Sequence, residues 1–255
     1  MNTSATQSSI IHVHIPCARE AIHGELAIPD APNGLVIFAH ATQGGWANSK
    51  NWSIAWKLHQ RGYATLLLDL LTGVEAGLET AKGLLHFEVP LLSERLRAAT
   101  LWALSQEKLK GLEFAFFGSD VGAAAAIEVA GALPATSAVV CRAARTDLVE
   151  GAADQLGKPI LLIAAEYDRR TIRRNREFIQ RNNANRRLEI VKGATHRFPE
   201  EGALCEVARI TAKWLDAHLG AERSNLEEAV SADNRDLVSA RLPDLRICTT
   251  LATPW

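Results

Sequence analysis

The stretch FAFFGSDVGAAAA, residues 114–126, constrains this chain more than any other. A short Phe-rich apolar run predicts a strand buried on both faces. The Ala-rich run after Gly122 predicts a helix. Between them Gly118, Asp120 and Gly122 make a turn of the form small-x-X-x-small. Such a turn forces its central residue into a strained conformation, and the flanking glycines allow backbone to pass close beside it. The central position of this bend aims a reactive side chain out of the top of a parallel sheet, and its usual occupant is Ser. Here it is Asp120.

The rest of the chain supplies the sheet that such a bend requires. Residues 10–15 and 21–28 read as two strands that predict a hairpin, and Pro29–Gly34 predicts the turn that follows it. Residues 35–39, 64–68, 114–118, 136–141, 159–165 and 187–191 are strand-like runs, mostly apolar. Helical patterns separate them at 52–61, 88–110 (with a break expected near Pro90), in the Ala-rich segment after Gly122, and at 171–183 and 200–219. Strands alternating with helices predict an α/β fold of about eight strands, mostly parallel, with helices on both faces. The expected organisation is a disordered N-terminus over 1–9, one domain over 10–219 and a C-terminal tail over 220–255. A short helix is expected in the tail near 225–231. The tail is expected to pack on the body or to mediate contacts in a homo-oligomer.

Three groups fall just past strand ends in the order nucleophile, acid, histidine. They are Asp120, then Asp168 after strand 160–165, then His196 in the loop after the last strand. A parallel sheet brings groups at its carboxyl ends to one edge. The same order marks a family of hydrolytic triads. Glu166 and Asp147 are alternative positions for the acid. His40, at the end of strand 35–39, is expected to support the neighbouring loop by hydrogen bonding.

These stretches resemble the α/β-hydrolase superfamily, and within it the dienelactone-hydrolase-like group. The resemblance rests on residues 36–40 (VIFAH), 64–72 (ATLLLDLLT), 90–96 (PLLSERL), 117–126 (FGSDVGAAAA) and 193–198 (GATHRF), and spans about residues 10–219 without a large lid insertion. It implies an α/β-hydrolase fold and a cofactor-free hydrolase. The nucleophile, histidine and acid fall on Asp120, His196 and Asp168. The oxyanion would be held by the backbone N–H of Val121 with one near Ala41 or Thr42. Two departures stand out: relatives carry Ser or Cys where this chain has Asp120, and the loop after strand 35–39 reads ATQGGW rather than a Gly/Ser-rich sequence.

Asp120 admits three readings. As a carboxylate nucleophile it would attack a saturated carbon bearing a leaving group and form an ester on the enzyme. Haloalkane dehalogenases, haloacetate dehalogenases and epoxide hydrolases share that logic and that fold. Alternatively the chain is a catalytically inactive binding or interaction module of the same fold. In the third reading, Asp120 is a general base on water, or Ser119 beside it is the nucleophile. Trp46, Ser119 and Arg197 are the expected substrate-binding residues, with Arg142 and Arg145 also near the mouth. Arginines here, including those at 169, 170, 173, 174 and 176, would suit a carboxylate or phosphate on the substrate.

Composition excludes several classes. A formal net charge of −1 gives no global attraction to nucleic acid or to an anionic membrane. No apolar run reaches the roughly 18 residues of a membrane helix. Four cysteines without CxxC spacing predict reduced thiols and a cytoplasmic protein. His12 and His14 alternate along a strand with no third ligand near, so no metal site is expected. The expected partner is a small-molecule substrate.

Overall fold

In the computed structural model the strand-like runs assemble into one sheet of eight strands in the order β1-β2-β4-β3-β5-β6-β7-β8. The structure describes residues 9–17, 20–40, 49–72, 74–75, 89–149, 156–181 and 185–219. The strands are β1 (Ser9–Cys17), β2 (Glu20–Ile28), β3 (Gly34–His40), β4 (Tyr63–Asp69), β5 (Phe114–Ser119), β6 (Thr136–Arg142), β7 (Ile160–Ala165) and β8 (Arg186–Val191). The helices are α1 (Ser49–His59), α2 (Val89–Ser105), α3 (Val121–Ala132), α4 (Arg169–Arg181) and α5 (Ala203–His218). The expected tail and its short helix lie outside the described residues.

β1 and β2 form the antiparallel hairpin, and β2 adds antiparallel to β4. Every later pairing, from β4–β3 to β7–β8, is parallel. This is the α/β-hydrolase architecture. β3 alternates its side chains between two cores, which is why its sequence is apolar throughout. Leu35, Ile37 and Ala39 pack in the core with α2 and α3, whereas Val36 and Phe38 pack in the core with α1 and α5. β3 is bonded on one side to β4 and on the other to β5. The chain therefore reverses its direction of travel across the sheet between β3 and β5, and a crevice opens at the carboxyl ends of such a pair.

Several boundaries differ from the sequence pattern, and two departures near Pro90 and Glu200 have plain local reasons. Pro90 does not break α2; it occupies the first turn, where its missing N–H has no intrahelical acceptor to lose. α5 starts at Ala203 rather than near 200, because Glu200 is held back into the preceding loop by Thr195 and Gly202 turns the chain at φ 79°.

Arg95 of α2 is a second surprise. It is buried, and its Nη1 donates to the Leu70 carbonyl at 2.8 Å while Nη2 donates to Glu75 Oε1 at 2.7 Å. Glu75 is also tied to Thr72: the Thr72 N–H donates to Oε2 at 2.9 Å, and the Glu75 N–H donates to Thr72 Oγ1 at 3.3 Å. These are the reciprocal bonds of a capping box. They anchor the start of the connection after β4 to α2. Hydrogen bonds from Arg95 outweigh burial and, with Thr72, hold the Glu75 carboxyl at about 2. The folded chain thus binds this proton more weakly than the unfolded chain. The pair's contribution is complete above the ordinary carboxylate range and fades as pH falls toward 2. Glu75→Gln is expected to cost about 2 kcal/mol at pH 7, because Arg95 stays buried without its charge partner. In urea unfolding the gap between wild type and variant should close between pH 4.5 and pH 2, Glu75's ordinary and folded values.

Candidate active site

β5 ends at Ser119 and α3 begins at Val121, so Asp120 alone makes the turn, at φ 53° and ψ −117°. A non-glycine residue held there costs about 1–3 kcal/mol and persists only when its surroundings enforce it. They do so from the end of β6 and the residues just after it. The Asp120 N–H donates to the Arg142 carbonyl, and the Arg145 N–H donates to the Asp120 carbonyl, each at 3.1 Å. The two glycines are required by close approach. A Cβ on Gly118 would lie 2.5 Å from the Ala123 Cα, and one on Gly122 would lie 2.4 Å from the Ala39 oxygen. The first turn of α3 is thus pressed against both β5 and the end of β3, and its run of alanines lets it sit there.

Asp168 stands between β7 and α4. Its Oδ1 accepts the Thr171 N–H at 3.1 Å, capping α4, and its Oδ2 accepts the His196 Nδ1–H at 2.6 Å. The carboxylate is therefore locked by its own helix and presents one oxygen to the imidazole. Desolvation pushes its pKa up, but the hydrogen bonds from Thr171 and His196 prevail and leave it below the ordinary value. With Nδ1 committed, His196 keeps Nε2 for a reacting group. The alternative acids are engaged elsewhere. Glu166 accepts the Gly193 N–H at 2.7 Å, and Asp147 is paired with Arg145 at 2.9 Å and Arg174 at 3.4 Å.

Asp120 and His196 both line one cavity of about 380 Å³. Ser119 lies in its wall, 4% exposed, and shares a hydrogen bond of 2.9 Å with His40 Nδ1. Burial, then the charge of Arg142, push the His40 pKa down to about 4, so His40 is neutral at pH 7. Its place at the carboxyl end of β3 makes it a brace between β3 and β5. Arg197, expected to touch substrate, also lines the cavity. Val121 is the first residue of α3, where backbone N–H groups have no intrahelical acceptor. The other expected contributors, Ala41, Thr42 and Trp46, lie outside the described residues.

Two cavity residues were weakly signalled or not signalled at all by the sequence. Lys50, in the first turn of α1, lines the cavity and its Nζ donates to the Arg197 carbonyl at 2.6 Å. Arg142 closes β6 and is only 7% exposed. An arginine ending an apolar strand was the one available signal for Arg142; Lys50 had none. Strain also gathers here: Ala143 and Phe198 join Asp120 at positive φ, at 51° and 52°.

A family model described as the dienelactone hydrolase family matches residues 22–234. A dienelactone hydrolase structure from Anabaena variabilis is 34% identical, with a TM-score of 0.80 over 84% of this chain and 99% of that one. The esterase Est1E from Butyrivibrio proteoclasticus shares the fold at 14% identity, with a TM-score of 0.68 over 81% of this chain and 98% of that one. Among named sequences, a putative phosphoribosyl transferase of Mycobacterium tuberculosis is 35% identical over 200 residues, 78% of this chain. The chain spans 44% of that relative's length.

Proposed function

This chain belongs to the dienelactone hydrolase family, and on that premise we propose that it is a cofactor-free hydrolase in which Asp120 is the nucleophile. The observation that carries the reading is the backbone of Asp120: a strained, enforced turn that spends stability to hold one carboxylate at a cavity shared with the His196–Asp168 pair. A structural residue has no need of that conformation, and a binding module has no need of a capped acid bonded to the imidazole.

The chemistry follows from what a carboxylate can do. Attack on an ester carbonyl would give a high-energy anhydride. Attack on a saturated carbon gives a stable ester, so the first bond broken joins carbon to a leaving group such as halide or an epoxide oxygen. An Asp120 oxygen bonds to that carbon and the bonding electron pair goes to the leaving group: a halide departs, whereas an epoxide oxygen stays on the substrate and takes a proton from water. His196 Nε2 then takes a proton from water, and the hydroxide adds to the Asp120 carboxyl carbon. The oxyanion that forms is held by the Val121 N–H at the start of α3. It collapses, the bond to the product oxygen breaks, and the proton passes from His196 to the departing alcohol. Asp168 stabilises the imidazolium in between. Removal of His196 would block only the second half, so His196→Ala incubated with haloacids and epoxides should accumulate a covalent adduct visible by intact mass, and with esters it should not.

A further inference from the structure

β1 is the outermost strand of the sheet and pairs with β2. The hairpin register sets His12 opposite Glu25 and His14 opposite His23. Cross-strand partners share a face, and so do residues two apart along a strand. His12, His14, His23 and Glu25 therefore stand together on one face. Their Cβ atoms mark a rectangle of about 5 Å across the strands and about 7 Å along them. The imidazoles of His14 and His23 are in contact, with ring centres 4.5 Å apart. In the sequence His12 and His14 have no third ligand near. The hairpin brings His23 and Glu25 beside them from the neighbouring strand.

Glu25 is the telling member. It is only 8% exposed, whereas the three histidines are exposed. β2 runs between β1 and β4, so Glu25 has His12 on one side and Leu67 on the other. Trp52 and Trp56 of α1 line the same small recess. No side-chain hydrogen bond or ion pair joins the Glu25 carboxylate to another described residue. A carboxylate buried beside tryptophan and leucine without a partner is costly. A solvated strand face would account for three exposed histidines, but not for an acid sunk among apolar groups. A cation held jointly by the acid and the imidazoles accounts for both.

We propose that His12, His14, His23 and Glu25 form a binding site for a borderline divalent transition metal such as Zn²⁺. Three imidazoles and one carboxylate are a set that such an ion accepts in tetrahedral geometry. Among the described residues no three such groups are already gathered about one point. The exposed histidines can turn about χ1 and χ2 to bring a ring nitrogen over the Glu25 carboxylate, which burial holds in place. The ion then supplies the charge partner that Glu25 lacks and ties the outermost strand to its neighbour. β4 and β3 separate this hairpin from β5, so the site is distinct from the one at Asp120 and does not rest on the reading of that residue.

The test is calorimetric titration of the tag-free full chain with Zn²⁺, paired with visible spectra of its Co²⁺ complex. Wild type should take up one equivalent of Zn²⁺, and the Co²⁺ complex should show the strong absorption of tetrahedral coordination. His14→Gln, His23→Gln and Glu25→Gln should each weaken Zn²⁺ binding by ~10-fold or more, a scale that loss of even a supporting partner reaches. Should Glu25→Gln fail to fold, the two histidine variants, at exposed positions, decide the matter. His196→Ala and Cys205→Ser remove candidate ligands elsewhere and should bind Zn²⁺ as wild type does. Saturating Zn²⁺ should raise the thermal unfolding midpoint of wild type and leave that of a His14→Gln, His23→Gln double variant unmoved. No uptake of Zn²⁺ by wild type overturns the site. So do hairpin variants that bind as tightly as wild type, or binding that His196→Ala or Cys205→Ser abolishes. None of these results bears on the hydrolase reading.

Discussion

Asp120→Asn is expected to lower kcat/KM by ~10³-fold or more, about 4 kcal/mol of transition-state stabilisation, while leaving the fold intact. The amide keeps the shape of the carboxylate but cannot donate an electron pair to carbon with comparable ease. Asp120 is exposed in the cavity, and its backbone bonds to Arg142 and Arg145 use main-chain atoms that the substitution retains. Thermal unfolding should therefore barely move. Asp120→Ser is the informative companion. It places a hydroxyl at the same bend, where His196 would have to act as base before attack rather than after it. Gain of p-nitrophenyl acetate hydrolysis in that variant would mean that the bend, the imidazole and the Val121 N–H are arranged for acyl chemistry, and that the side chain at 120 selects between the two reactions.

Gly122→Ala is expected to destabilise the protein by about 3 kcal/mol, read as a shift of the urea midpoint at unchanged slope. The added methyl would meet the Ala39 oxygen at 2.4 Å and the His40 Cα at 3.3 Å, and both are backbone atoms that cannot swing aside. Relief requires α3 to lift from β3 or the turn at Asp120 to open. Either motion moves the carboxylate, so activity should fall beyond what the loss of folded protein explains. Gly157→Ala is the control: a Cβ there meets nothing within 4 Å, and its effect should stay within about 0.5 kcal/mol.

The sheet was legible because buried parallel strands write themselves as apolar runs, and VIFA at 36–39 and FAFF at 114–117 have no other reading. The bend at Asp120 was legible because only small residues fit where backbone closes to within bonding contact of a side chain. Asp168 and His196 were placed by their position just past strand ends, a property of chain order. The contacts across chain distance were not legible. Arg95 and Glu75 lie 20 residues apart, and neither position differs in type from any exposed charge on a helix or loop. Arg142 is half such a case: its place at a strand end put it near the mouth, but an arginine after Val140 and Cys141 carries no mark of burial, and Lys50 at a helix start carried no mark of the cavity at all. The burial of Arg142 is decided by chain-distant neighbours, among them Asn51 of α1 and the Phe198 ring. Asp168 shows a subtler limit. Its capping of α4 through Thr171 moved the helix start back to Arg169, two residues ahead of the polar pattern that suggested it.

The most direct measurement of the central claim is peptide mass analysis of His196→Ala after exposure to a substrate that the wild type turns over. The account predicts a mass increase on the peptide that contains Asp120, equal to the substrate less its leaving group for a halide and to the whole substrate for an epoxide, with the label abolished in a His196→Ala, Asp120→Asn double variant. An unmodified Asp120 peptide, in a protein whose wild type turns the same substrate over, would contradict it.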